Sequence, residues 1–148
     1  KLKIKDIFVQ DNYSFSKKKG IIRGLHFQKP PFDQAKLIRV TKGKILDIVL
    51  DIRNNSPYYG KIKKFILSKE NWRQIYIPSG FAHGFVTLSN LTEVEYKVSN
   101  FYSKKHEVTI MWNDQTLSVN WIIKQKEILN NKDKNGISFN ELKSPFYL

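Results

Sequence analysis

The sequence predicts an all-β fold, either a sandwich or a barrel. Short strand-like segments rich in β-branched and aromatic residues follow one another at regular spacing, and turn-forming Gly, Pro, Asn, Asp or Ser lie between them. No convincing helical period occurs before residue 124. Many short strands separated by turn residues are typical of antiparallel sheets that pack in two layers or close into a barrel.

Nine segments have the residue pattern of strands. In chain order they cover residues 7–15, 21–28, 34–40, 45–52, 62–68, 73–77, 82–88, 93–99 and 107–112. The connections have turn chemistry, because Gly20 ends a run of three lysines, Pro30 and Pro31 fix a loop, and residues 41–44 read as a hairpin turn.

The C-terminal part differs from the rest of the chain. Residues 124–142 are mostly polar, and Ser138-Phe139-Asn140-Glu141 has the pattern of a capping box that opens a short helix. No internal repeat or linker divides the sequence. Its 148 residues are enough for one domain with a substantial core, so residues 1–148 are predicted to form a single domain.

The composition narrows the class of protein. There is no Cys, which rules out disulfides and thiolate metal ligands. No apolar run approaches the roughly 18 residues of a membrane span, and the first residues lack the apolar core of a signal peptide. We therefore expect a soluble cytoplasmic protein that does not bind membranes.

The formal net charge of +13 suggests nucleic acid as a partner, but the details argue against it. Only four of the 26 basic residues are arginine, the residue best suited to reading base edges, and the lysines are scattered. We do not expect nucleic-acid binding. A positive surface would still attract a small, negatively charged substrate.

The common catalytic motifs are missing. The three histidines, His26, His83 and His106, form no His-x-His pair, so no metal site is predicted. A nucleophilic Cys, a Gly-x-Ser-x-Gly elbow and a Gly-rich phosphate loop are also absent. Acid–base chemistry by side chains remains as the catalytic option, and no cofactor is expected.

The stretch Arg23-Gly24-Leu25-His26-Phe27-Gln28 is the centre of the prediction. It places a guanidinium, an imidazole and an amide within six residues. Strict strand alternation would put Arg23 and His26 on opposite faces. If both serve one cleft, Gly24 must therefore mark a bend or a bulge.

Polar side chains on two other segments are predicted to face the interior. Tyr96 has the strand parity of Val94 and Val98, and Lys36 has that of Ile38 and Val40. A buried tyrosine is ordinary in a core, whereas an inward lysine requires a partner or a function. Gln10, Asn12 and Ser14 likewise share one face of the first segment. Asp133 lies in the aperiodic tail, where a solvated aspartate is the ordinary expectation.

These residues occur in motifs that resemble one family, the dTDP-4-dehydrorhamnose 3,5-epimerases of the cupin superfamily. The resemblance runs from about Phe8 to Asp133. The matching motifs, in order, are Arg23 to Gln28, Gln34 to Val40, Asp51-Ile52-Arg53 with Ser56 and Gly60, Ile77 to Phe85, Tyr96-Lys97, Trp112-Asn113-Asp114 and Leu129 to Asp133.

The resemblance implies a cupin-type jelly roll that forms a homodimer and works without metal or cofactor. The implied substrate is a nucleotide-diphospho-4-keto-6-deoxy sugar of dTDP-rhamnose and polysaccharide biosynthesis. His26 matches the catalytic base, Asp133 its hydrogen-bonded partner, and Tyr96 the acid on the opposite face of the sugar. Lys36 matches the residue beside the 4-keto oxygen. The positions that hold the substrate and its pyrophosphate match Arg23, Gln10, Asn12 and His83.

Several alternatives remain open at this point. Chains of the family begin with a strand and a Gly-x-Phe-x-Glu-like segment that reaches the partner's nucleotide site, and we expect that segment to be missing from residues 1–148. The identity of the base is therefore open, and a GDP-linked 4-keto-6-deoxy-heptose would suit the same chemistry. A 3,4-ketoisomerase is a sister possibility. A non-catalytic jelly roll that binds sugar nucleotides or polyanions is the alternative from another class.

Overall fold

The computed structural model describes residues 4–124 and 126–148. Nine strands account for most of the chain up to residue 109, and two short helical turns follow. The strands are β1 (Gln10–Ser16), β2 (Ile22–Gln28), β3 (Lys36–Lys42), β4 (Lys44–Asp51), β5 (Ile62–Ser68), β6 (Gln74–Ile77), β7 (Phe81–Thr87), β8 (Thr92–Val98) and β9 (Glu107–Thr109). The helical turns are α1 (Asn131–Lys134) and a 3-10 helix (Phe139–Glu141).

The strands form two antiparallel sheets. The four-stranded sheet has the order β1-β8-β3-β6, and the five-stranded sheet has the order β5-β4-β7-β2-β9. Neighbouring strands in each sheet are often far apart in sequence, as in a jelly roll. The all-β prediction is confirmed. Within the described ranges, no helix is long and apolar enough to cross a membrane.

Most predicted strand bounds agree closely with the structure. β5 has the predicted range, and β3 and β4 leave only Gly43 between them as the hairpin turn. The last predicted strand is too long, because β9 ends at Thr109. After that residue the backbone pairs with the C-terminal tail instead, with hydrogen bonds of 2.9 Å from Ile137 N to Thr109 O and from Met111 N to Ile137 O.

The alternation of side chains along β4 separates two hydrophobic cores. Ile45 and Val49 face the four-stranded sheet, where they pack with Ile38, Leu67, Phe85 and Val94. Leu46, Ile48 and Leu50 face the other way and pack with Ile22, Leu25, Phe27, Trp121 and Phe139. The C-terminal tail therefore covers the outer surface of the five-stranded sheet.

Asp114 fastens the tail in place. Its carboxylate accepts hydrogen bonds from Phe139 N (2.8 Å), Leu117 N (3.0 Å) and the Ser138 hydroxyl (3.1 Å). Burial raises the pKa of Asp114, but these donors lower it by more, so the net shift is downward. Ser138 also caps the 3-10 helix, and the predicted capping box with Glu141 is present.

A β-bulge at Gly24 interrupts the pairing of β2 with β7. Arg23 pairs with Phe85 and His26 with His83, so β2 carries one more residue than its partner between these pairs. Gly24 has φ +101°, and a Cβ there would lie 2.5 Å from the carbonyl oxygen of His83. Strict alternation would put Arg23 and His26 on opposite faces of β2. The extra residue of the bulge lets both side chains face the same interior space.

Replacing Gly24 by Ala tests the need for this bulge. A Cβ would clash with the backbone of β7 and hold an unfavourable φ, so we expect the free energy of unfolding to fall by at least about 2 kcal/mol. Gly60→Ala is the control, since φ is +74° and its Cβ would meet only ring atoms of Phe139 at 3.3 Å. Its loss should be about 1 kcal/mol. Equal losses in urea unfolding would contradict the steric argument.

Candidate active site

A cavity of about 530 Å³ lies between the two sheets. All of the site residues predicted from the sequence line it, namely Gln10, Asn12, Arg23, His26, Lys36, His83, Tyr96 and Asp133. These residues come from β1, β2, β3, β7, β8 and α1, so the fold gathers them from almost the whole chain. The third histidine, His106, is not among the lining residues.

The two sheets supply different ionisable side chains to opposite walls of the cavity. His26 is on β2 of the five-stranded sheet, whereas Lys36 and Tyr96 are on β3 and β8 of the four-stranded sheet. Asn12 on β1 is paired with Tyr96 in register. A ligand between the sheets would thus have the imidazole on one side and the ammonium and phenol groups on the other.

Asp133 is bonded to His26 and is fully buried. The distance from His26 Nε2 to Asp133 Oδ1 is 2.5 Å, and Gly24 N donates to the same oxygen at 3.2 Å. The expectation of a solvated aspartate is therefore wrong, and the partner implied by the family resemblance lies within reach. Because a carboxylate only accepts, Nε2 carries the proton, and Nδ1 of the neutral ring is left with a lone pair.

The surroundings of His26 favour its neutral form. Burial lowers the pKa of His26, the hydrogen bond and charge of Asp133 raise it in part, and the nearby ammonium groups of Lys132 and Lys36 lower it again. The net shift is downward from the ordinary value of 6.5. A histidine that is neutral at pH 7 can accept a proton, as a general base must.

The two groups on the opposite wall differ in charge. Burial lowers the pKa of Lys36 to about 8, against the raising effect of the Glu107 and Asp47 carboxylates, so Lys36 is still mostly an ammonium at pH 7. Burial raises the pKa of Tyr96, although the Arg23 guanidinium lowers it in part. Tyr96 therefore keeps its proton, and Lys36 supplies a positive charge.

Two carboxylates at the site were missed by the sequence analysis. Asp47 is fully buried and lies 2.7 Å from His83 Nε2 through its Oδ2 atom. Its position between Ile45 and Val49 in an aliphatic strand was a usable signal, since a carboxylate at an inward position needs a partner.

Glu107 is the second missed carboxylate and had no comparable signal. It accepts from Lys132 Nζ at 2.7 Å and from the Tyr102 hydroxyl at 2.9 Å. Burial raises the pKa of Glu107, but Lys132 and Tyr102 lower it by more, so the group is ionised. All three residues line the cavity, which makes this wall polar.

Arg23 has a buried donor that is not satisfied. Its Nε atom is buried and has no hydrogen-bond partner among residues 4–124 and 126–148. An unpaired buried donor is unfavourable, and a phosphate or carboxylate group would satisfy it. Over the same described ranges, no three His, Cys, Asp or Glu residues are grouped as metal ligands would be.

Taken together, the structure is a jelly roll with an acid–base site between its two sheets, and the comparisons identify the class of enzyme as isomerases that act on sugar nucleotides. The sequence model of dTDP-4-dehydrorhamnose 3,5-epimerase matches residues 1–141. The chain belongs to this family, which is the one that its motifs resemble.

Individual relatives agree with this assignment. The dTDP-4-dehydrorhamnose 3,5-epimerase of Shigella flexneri is 48% identical over 132 residues, which are 89% of this chain and 72% of that protein. The Bacillus anthracis enzyme, solved with TDP and PPi bound, is 45% identical with a TM-score of 0.88 over 91% of this chain and 77% of its own. The Legionella pneumophila enzyme in complex with dTDP-4-keto-L-rhamnose is 41% identical, with a TM-score of 0.89 over 94% and 73%.

An NMR titration of His26 tests the geometry of the pair. We expect its midpoint below 6.5, with the proton of the neutral ring on Nε2. Replacing Asp133 by Asn removes the carboxylate that raises the pKa, so the midpoint should move further down and the Nε2-protonated tautomer should lose its preference. Asp51→Asn, which removes a buried carboxylate that bonds to Arg53 and does not line the cavity, should leave His26 unchanged. A midpoint above 6.5, or one indifferent to Asp133→Asn, would contradict the arrangement.

Proposed function

We propose that this protein inverts C3, C5 or both of dTDP-4-keto-6-deoxyglucose by removing the proton next to the ketone and returning one from the opposite face. One observation carries the proposal: a histidine bonded to a buried aspartate faces one cavity with a tyrosine and a lysine from the other sheet. The TDP bound to the B. anthracis relative and the dTDP-4-keto-L-rhamnose bound to the L. pneumophila relative support the choice of nucleotide.

The difficult step is breaking the C–H bond. A proton beside a ketone is still on the order of a dozen pKa units less acidic than imidazolium, a gap of roughly 17 kcal/mol at about 1.4 kcal/mol per unit. A base alone cannot overcome such a gap. The negative charge that develops on the 4-keto oxygen must be stabilised, and the Lys36 ammonium in a partly enclosed cavity is suited to this role.

His26 is the proposed base. Its Nδ1 lone pair takes the proton, the C–H electron pair forms the enolate double bond, and the carbonyl electrons move to the oxygen near Lys36. Asp133 holds the imidazole by Nε2 and stabilises the imidazolium that forms. The positive charge created on His26 is therefore offset by a carboxylate already in place.

Tyr96 is the proposed acid. The enolate electrons form a new C–H bond with the phenolic proton, and the carbonyl is restored. The phenolate then regains its proton from solvent, and His26 releases to solvent the proton that it took from the sugar. Because Tyr96 and His26 lie on opposite sheets, the new proton arrives on the face opposite the one that lost it. Inversion follows from this separation of base and acid.

The remaining cavity residues are proposed to hold the substrate. Arg23, with its unpaired Nε, suits the pyrophosphate. Gln10 and Asn12, which hydrogen-bond to one another at 2.7 Å, and His83, fixed by Asp47, offer polar contacts to the sugar. The homodimer and the cytoplasmic location implied by the family resemblance are part of the proposal, and sedimentation at twice the mass of one chain would test the dimer.

The test is proton NMR of dTDP-4-keto-6-deoxyglucose incubated with the protein in D2O. We expect the C3 signal, the C5 signal or both to disappear, and the position lost identifies the centre that is inverted. His26→Ala should abolish the exchange, with a loss of at least about 10²-fold, as general-base removal typically gives. His106→Ala is the matched control, since His106 does not line the cavity.

The same experiment separates the alternative functions. Exchange only with a GDP-linked 4-keto-6-deoxy sugar would show that the nucleotide assignment is wrong. A product with its carbonyl moved to C3 would indicate a ketoisomerase. Binding of dTDP without any exchange would overturn the catalytic proposal and leave a sugar-nucleotide-binding protein.

A further inference from the structure

Asp133 is held by a single turn of helix. The turn α1 comprises only Asn131–Lys134, and Asn130 is its N-cap residue. The Asn130 side chain accepts a hydrogen bond from Asp133 N at 2.8 Å, and Lys134 N donates to Asn130 O at 3.2 Å. One helical turn has no stability of its own in water, so its cap and its contacts must maintain it.

The carboxylate of Asp133 has few anchors of its own. Its Oδ1 receives both Gly24 N and His26 Nε2, while its Oδ2 is buried without a partner in the described part of the chain. No side chain other than His26 bonds to the carboxylate there. Its direction therefore depends on where the backbone of α1 places residue 133, and Asn130 fixes that backbone.

We propose that Asn130 is a positioning residue for the epimerase reaction: by capping α1 it aims the Asp133 carboxylate at His26 Nε2. This inference rests on the proposed function, in which His26 is the base. Asn130 also lines the cavity, so its cap bond lies at the edge of the substrate space. Asn130 affects the reaction only by positioning Asp133.

Loss of the cap has a definite consequence for His26. If α1 frays, Asp133 no longer accepts the hydrogen bond of His26 Nε2, and His26 loses the contact that raises its pKa most. Burial and the Lys132 and Lys36 ammonium groups then act without that compensation, while the Glu107 carboxylate still favours the protonated form of His26. The imidazole becomes a weaker base with a lower pKa, and the proton of its neutral form can lie on either ring nitrogen.

The test compares variants of the cap. In Asn130→Ala we expect kcat/KM for the dTDP sugar to fall about five- to tenfold, mainly through kcat, as expected for loss of one N-cap bond. The acid limb of its pH profile, where activity falls because His26 becomes protonated, should move to lower pH. Asn130→Ser retains a cap acceptor and should restore both values to within about twofold of the parent.

Ser138→Ala is the matched control for removal of a cap. Ser138 caps the 3-10 helix and does not line the cavity. We expect this variant to lose thermal stability but to keep the kcat and the acid limb of the parent. If Asn130→Ala fails to fold, Asn130→Gly replaces it, because Gly suits an N-cap backbone without a side-chain acceptor, and a smaller loss in the same direction is expected.

The outcomes distinguish this inference from the proposed function. A parent protein that shows no exchange overturns both. If the parent is active, any one of three results overturns the positioning role alone. These are a parental kcat in Asn130→Ala, an unmoved acid limb in that variant, or an Asn130→Ser variant as impaired as Asn130→Ala. Reduced kcat and a shifted limb in Asn130→Ala, both restored by Ser, support it.

Discussion

The hydrogen bond between Asp133 and His26 joins two parts of the chain that have different structures. One partner is on a strand of the five-stranded sheet, and the other is on a helical turn of the tail. A fully buried carboxylate is costly unless it is paired, and here it receives a backbone amide and an imidazole. The site therefore forms only when the tail is packed on the sheet, which makes folding of the tail a condition for the proposed reaction.

The bulge at Gly24 and the tail serve the same geometry. Without the extra residue, Arg23 and His26 would face opposite sides of β2, and Gly24 N would have a different neighbour. With it, the amide of Gly24 bonds to Asp133 while both side chains enter the cavity. One irregular residue thus orients Arg23, His26 and Asp133, which are the proposed anion-binding group, the proposed base and the carboxylate that supports it.

Much of this arrangement could be predicted from the sequence because it depends on local rules. Turn residues bounded the strands, the two-residue period placed Lys36 and Tyr96 inside, and the glycine between Arg23 and His26 indicated a bulge. The burial of Asp133 could not be derived this way, since it depends on contacts with β2 more than a hundred residues earlier. Its role came from resemblance to a family. The same limit explains why β9 was predicted too long and why Glu107 was missed.

In the proposed mechanism, proton removal and proton return use different groups on opposite sheets. A Tyr96→Phe variant separates the two steps when dTDP-4-keto-6-deoxyglucose is incubated with it in D2O and followed by NMR for both deuterium content and configuration. We expect that His26 still exchanges the proton from its own face, giving deuterated sugar with the original configuration and little inverted product. Inverted product at the parental rate would contradict the assignment of Tyr96 as the acid.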